Sequence, residues 1–202
     1  MNPTDARDSA ERLAPKDWRG AHELAKSADS PWYRCQALAW VARYAPEEHV
    51  EILVEESLRA AAECAEAYRA NACIAWPVRA LVERGRTDRA ASIVMDAAQR
   101  AASIPEPASS SEAAFLMLQA IFPAGRKYWL PVFEACWRLS ASGVHWRQRR
   151  NLRDAVLMVH PHDPDLAKDV LSTILDRRLR ERLERDIQKG VSRRPRPFFW
   201  AE

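Results

Sequence analysis

Apolar and small side chains recur along almost the whole of this chain at spacings of three and four, and no run alternates apolar and polar residues in the two-residue rhythm of a half-buried strand. Such a period buries one face of a helix and scatters the apolar residues over both faces of a strand. The sequence therefore predicts an all-α fold. One stripe runs from Val50 through Leu53, Val54, Ser57, Leu58, Ala61, Cys64 and Ala65. A second runs through Ala90, Ile93, Val94, Ala97, Ala98 and Ala101, and a third through Leu166, Val170, Leu171, Ile174, Leu175 and Leu179.

Helix punctuation sets the boundaries. Ser30-Pro31, Pro46-Glu47-Glu48, Thr87-Asp88 and Asp163-Pro164-Asp165 carry N-cap or first-turn chemistry, and Gly85, Gly125 and Gly143 stand where helices should stop. These marks predict about nine helices, near 16–28, 31–45, 46–65, 66–84, 87–104, 111–123, 127–141, 145–159 and 164–189. Their links are short, so sequential helices pack antiparallel as hairpins. With 202 residues, 48% hydrophobic and 29% charged side chains, the chain has the composition of one folded domain. Residues 1–190 are expected to form it, with 191–202 as an extended tail. Disorder, collagen-like structure and a disulfide-dense scaffold are excluded on the same grounds.

The hairpins repeat. Trp32-Tyr33-Arg34-Cys35-Gln36-Ala37-Leu38-Ala39-Trp40 returns as Ala67-Tyr68-Arg69-Ala70-Asn71-Ala72-Cys73-Ile74-Ala75-Trp76. A weaker echo is Glu112-Ala113-Ala114-Phe115-Leu116-Met117-Leu118-Gln119, and Trp146-Arg147-Gln148-Arg149-Arg150 opens a fourth unit. Unit starts near 31, 66, 110 and 145 give a period within the roughly 20 to 50 residues that mark stacked repeats. The stretch from Tyr68 to Ile104 resembles a tetratricopeptide hairpin. Ile74 and Leu81 take the large apolar positions of its first helix, and Ala90, Val94 and Ala97 the small, large and small positions of its second. Pro77 and Val78 stand where that family prefers leucine and a small residue, and Ala102 stands where it closes on proline. HEAT-like pairing of the same helices is the alternative. Either resemblance implies a scaffold with a recognition role, and the tetratricopeptide form implies a right-handed α-solenoid of about four antiparallel hairpins with a concave face that recognises a partner; the long C-terminal helix over 164–189 is expected to cap it.

That face is expected to carry Trp32, Arg34, Tyr68, Arg69, Asn71, Trp146 and Arg149, which occupy equivalent first helices if the repeat register holds. Trp40, Trp76, Trp129 and Trp137 lie in apolar helical contexts and are expected in the core. The formal charge of +3 is uneven, with residues 1–70 at −4, 71–143 at +2 and 144–202 at +5. Arg149, Arg150 and Arg153 share a face of one helix in that basic third, so nucleic acid is the second candidate partner. The tail Ser192-Arg193-Arg194-Pro195-Arg196-Pro197-Phe198-Phe199-Trp200 is basic first and aromatic last, and its prolines prevent a helix. Phe198, Phe199 and Trp200 either fold back on the protein or anchor in a partner's pocket.

Catalytic chemistry is poorly represented. His160-Pro161-His162-Asp163-Pro164-Asp165 places four potential ligands close together, yet Asp163 or Asp165 should cap the next helix instead. There is no glycine-rich phosphate loop, nucleophile elbow or H-E-x-x-H. Cys35, Cys64, Cys73 and Cys136 form no C-x-x-C pair and read as reduced, largely buried thiols. No cofactor is implied, and an enzyme with a site assembled across repeats is the third reading. With no secretory signal and no run of roughly 20 apolar residues, the expectation is a cytoplasmic protein without membrane contact.

Overall fold

The computed structural model describes residues 3–141 and 143–199, and among them it contains helices and no strand. The helices are α1 (Pro3–Leu13), α2 (Trp18–Lys26), α3 (Pro31–Tyr44), α4 (Glu47–Ala62), α5 (Ala67–Ala72), α6 (Ala75–Glu83), α7 (Thr87–Ala101), α8 (Pro107–Ile121), α9 (Arg126–Ala141), α10 (Trp146–Val159), α11 (Pro164–Thr173) and α12 (Arg177–Gln188). None is long and apolar enough to cross a membrane.

Side chains start many of these helices. The Asp17 carboxylate accepts from Gly20 N at 3.0 Å, and Glu106 accepts from Ala108 N at 3.1 Å and Ser109 N at 2.5 Å. His145 Nδ1 accepts from Arg147 N at 3.2 Å at the start of α10. Each bond satisfies an amide that the first helical turn leaves without a carbonyl.

The helices pack in two rows. In one, α3 lies against α6, α6 against α8 and α8 against α10; in the other, α4 meets α5 and α7 meets α9. Hairpin contacts of α3 with α4, α6 with α7 and α8 with α9 join the rows. In α3 every residue from Cys35 to Ala42 is buried, and in α8 every residue from Ala113 to Ile121 is. Helices buried all round need neighbours on both sides, and the second side of this row is where the tail lies.

Three departures from the expected helices have local causes. Helix α1 precedes the first expected one, because Ala6, Ala10 and Ala14 form a fully buried alanine stripe as α1 packs on α3. The expected helix 66–84 is two helices. Pro77 has no N–H to give to Cys73 O and its ring would clash there, so that carbonyl accepts from Trp76 N at 3.1 Å and from the Cys35 thiol at 3.4 Å. The long C-terminal helix is likewise broken, at Ile174-Leu175-Asp176. Ser172 and Thr173 hydroxyls bond back to Asp169 O and Val170 O at 2.6 and 2.7 Å. Ile174 turns into the core in extended conformation, and Asp176 starts α12 by accepting from Arg178 N and Leu179 N at 3.0 and 3.1 Å. Local side-chain bonds here outcompete helix continuation.

Candidate functional site: the tail-filled groove

Gly190 ends α12 with φ +68°, a left-handed conformation that glycine adopts without strain, and Val191 N then bonds Asp186 O at 2.9 Å. This reversal sends the tail back across the row of α10, α8, α6 and α3. Arg193 N donates to Leu157 O on α10 at 3.1 Å, and its guanidinium reaches Asp154 at 3.3 Å. Arg196 N donates to Gln119 Oε1 on α8 at 3.4 Å. Pro195 and Pro197 have no N–H to satisfy, so an extended course through an apolar groove leaves fewer orphan donors.

The aromatic end fills the far part of the groove. Phe198 and Phe199 are 1% and 2% exposed. The Phe198 ring meets Trp40 of α3, and the Phe199 ring meets Trp76 of α6 with centroids 4.8 Å apart. Trp76 continues to Trp32 at 5.9 Å, and Trp32 to Tyr68 at 6.3 Å, a connected series of rings along one wall. Arg43 lies over Trp40, Tyr44 and Phe198 and is held from behind by Glu83 at 2.5 Å. Arg79 holds the same Glu83 at 2.9 Å and donates to Gln119 O at 3.5 Å. The groove therefore combines rings, a fixed cation and an amide that reads backbone. Two buried donors on its walls, Trp40 Nε1 and Gln119 Nε2, have no hydrogen-bond partner among the described residues.

The residues expected on one concave face are divided between three places. Trp32 and Tyr68 belong to the ring series, and burial raises the Tyr68 phenol above its ordinary range, with Glu112 adding to the effect. Arg34 serves the backbone, donating to Ala28 O at 3.0 Å and pairing with Glu63. Arg69 is exposed and pairs with Glu66 at 3.4 Å. Asn71 departs most from expectation. It is 4% exposed and donates to Ala97 O at 2.9 Å, tying α5 to α7, and it lines a cavity of about 660 Å³ between α4, α5 and α7. The kink before Pro77 separates α5 from α6, so the repeat register cannot carry Asn71 into the groove.

Trp146 is 60% exposed at the start of α10, outside the groove, with Arg150 and Arg147 over its ring at 5.2 and 5.7 Å. The arginines expected to form an open basic face are paired. Arg149 meets Asp176 at 2.9 Å, Arg150 meets Glu112 at 2.5 Å, and Arg153 meets Asp186 and Asp154 at 2.9 and 3.1 Å. Phe198 and Phe199 are docked on their own chain; Trp200 lies outside the described residues. Trp40, Trp76 and Trp129 are core residues, and Trp137 is partly buried against them.

In the histidine-aspartate string, Asp163 caps α11, accepting from Leu166 N at 3.1 Å and pairing with Arg126 at 2.7 Å. His162 stands edge-on to Phe122. No three His, Cys, Asp or Glu side chains converge as metal ligands among the described residues. Among the thiols, Cys35, Cys73 and Cys136 are buried and Cys64 is half-buried. Hydrogen bonding to Cys35 and Cys64, with burial, raises the Cys73 thiol, whereas the bond to Cys73, with Arg69 and Arg34 nearby, lowers that of Cys64.

Comparison with protein-family models, with curated proteins and with solved structures finds no match to this chain.

Proposed function

We propose that this protein is a non-catalytic scaffold, an α-solenoid of about four hairpins whose concave face holds an extended peptide segment of a partner protein. The two rows of helices support the solenoid reading, since each hairpin packs on the next and the first helices share one wall. One observation carries the function: the segment 191–199, irregular over 191–196 and turning at 197–199, crosses that wall with backbone hydrogen bonds and two anchored rings.

The tail occupies the groove as a partner's segment would, and it marks the ligand class as an extended stretch with adjacent aromatic residues. Two rings in pockets supply the anchoring, while the amides of the ligand supply register. The unpartnered donors Trp40 Nε1 and Gln119 Nε2 favour a ligand that offers each a carbonyl, because satisfying a buried donor recovers its desolvation cost. Such a ligand competes with a tethered tail whose effective concentration is millimolar for a short linker. Binding by the intact protein is therefore weak until the tail is released.

The test is fluorescence polarisation with a labelled peptide of residues 192–199. Full-length protein carrying Phe198→Ala and Phe199→Ala should bind it saturably, and the unsubstituted protein at least tenfold more weakly. Absence of binding to the substituted protein, with its helix content intact by circular dichroism, overturns the reading.

A further inference from the structure

The break between α11 and α12 creates a second recess, independent of the groove. Where one continuous helix would have carried the chain past α10, the turn at Ile174-Leu175-Asp176 swings α12 so that Arg178, Leu179 and Arg182 face Trp146, Arg149 and Arg153 across a cavity of about 400 Å³. Its chemistry is unusual for a surface recess. Trp146 presents an indole that is 60% exposed, with no core to explain it. Leu179, packed on the core below, makes the floor apolar.

The arginines fall into two sets. Arg149, Arg150 and Arg153 are each held by carboxylates, so they form walls of fixed position and little net charge. Arg178 and Arg182 lie one helical turn apart on α12, are exposed, and enter no ion pair among the described residues. Arg147 lies over the Trp146 ring and likewise has no carboxylate partner among them. The recess is thus lined by an exposed indole with Arg150 against its ring and Arg147 beside it, by Arg149, Arg150 and Arg153 paired with carboxylates, of which Asp176 is itself in the lining, and by Arg178 and Arg182, which no carboxylate of the described residues balances.

We propose that this recess binds a nucleoside phosphate, either free or as one unit of a single strand, with the base on Trp146 and the phosphate between Arg178 and Arg182. A base offers a π-face whatever its identity, and a tryptophan face suits it. Planar guanidinium forks match phosphate oxygens with paired N–H donors, and two forks suit a group carrying up to two negative charges. A simple carboxylate would leave one fork unused, and inorganic phosphate would leave the indole bare. The residues that carry this site are not the basic face legible in the sequence: Arg149, Arg150 and Arg153 of α10 are already paired, and Arg178 and Arg182 of α12 reach the recess only because the helix breaks.

Isothermal titration of the full-length protein with AMP, UMP, an eight-residue oligothymidylate, inorganic phosphate and a phosphotyrosine peptide, each at low and moderate salt, tests the proposal. The nucleotides should bind saturably and tighter than inorganic phosphate. Trp146→Ala should weaken nucleotide binding at least tenfold while leaving phosphate binding unchanged, and Trp146→Phe should restore most of it. Arg178→Gln with Arg182→Gln should weaken both by at least tenfold. These side chains are exposed, so the variants should keep their helix content. Tighter binding of the oligomer with a steeper salt dependence supports the proposal with a strand as source, because several phosphates then release counterions; equal affinity for monomer and oligomer supports it with a free nucleotide. Failure of every nucleotide to bind, indifference of binding to both sets of substitutions, or preference for the phosphotyrosine peptide overturns it.

Discussion

Phe198 meets Trp40 edge-on, with ring centroids 4.5 Å apart and planes at 64°, and the Arg43 guanidinium lies 5.0 Å from each ring. This contact joins a residue near the end of the described chain to the third helix, and it sets how strongly the tail holds. Truncating a buried phenylalanine costs about 3 to 5 kcal/mol where the surroundings cannot relax. Here the tail can detach instead, so the loss is capped by the free energy of docking. Phe198→Ala should lower stability by about 2 kcal/mol, and adding Phe199→Ala should cost much less than Phe199→Ala does alone, since both remove one docking event. Urea midpoints measure the energies. Faster amide exchange at Arg193 and Arg196 should accompany the first substitution, and strictly additive costs would show that the two rings dock separately.

A second prediction concerns the polar contact buried between α8, α9 and α10. Asn151 Nδ2 donates to Ser111 Oγ at 3.0 Å, Ser111 and Ser140 hydroxyls lie 2.8 Å apart, and all three residues are buried. Removing the amide leaves a serine acceptor without its donor and opens a small void, each of which costs about 1 to 3 kcal/mol. Asn151→Ala should therefore destabilise by about 2 to 4 kcal/mol. In a double-mutant cycle Ser111→Ala should cost less in the Asn151→Ala background than alone, by about 1 kcal/mol. A coupling of zero would show that water already serves these groups.

The all-α class and the starts of α3, α4, α7, α9 and α10 were legible, because the period of three and four persists and Pro31, Pro46, Thr87 and Gly125 punctuate it, whereas α4 and α7 end three residues before their expected ends. The alanine stripe of α1 has too little hydrophobic contrast to stand out. Pro77 and the Ser172-Thr173 pair were visible in the sequence, yet their effect depends on which carbonyls they free or capture in three dimensions. Pairing of Arg150 with Glu112 and of Arg153 with Asp186 spans 38 and 33 residues, so a local reading of charge sees acids interleaved with the arginines but not these distant partners. One signal for the groove was present. The run Ala113 to Ile121 is apolar nearly all round, which requires cover on both sides, and the apolar segment free to supply it was the tail.

Thiol chemistry should divide by position. Burial pushes the Cys136 thiol up to about 12, and Cys73 is raised by its bonded neighbours, whereas Cys64 is half-buried and its thiol is lowered. The thiolate is the nucleophile, so iodoacetamide at pH 8 should alkylate Cys64 first and leave Cys136 unmodified until the protein unfolds. Peptide mass mapping over time reads the order. Modification of Cys136 at a rate equal to that of Cys64 in the folded protein would contradict these two environments.

The cap of α11 should confer a pH dependence. Hydrogen bonding from Arg126, then from Leu166 N–H, holds the Asp163 carboxyl below its ordinary range. The sign follows from linkage: a carboxylate depressed in the folded state stabilises it above the unfolded pKa, and that contribution is lost as pH falls through the lower folded value. Asp163→Asn keeps an acceptor for Leu166 N but removes the charge that faces Arg126. Its melting temperature should lie below that of the unsubstituted protein at pH 7, and the gap should narrow as pH drops through the acid range. The pair is exposed on the Arg126 side, so added salt should also narrow the gap at pH 7. Arg126→Gln should reproduce the charge-dependent part of the loss while sparing the cap, and a gap that stays constant from pH 7 to pH 2 would assign the whole effect of Asp163 to capping geometry.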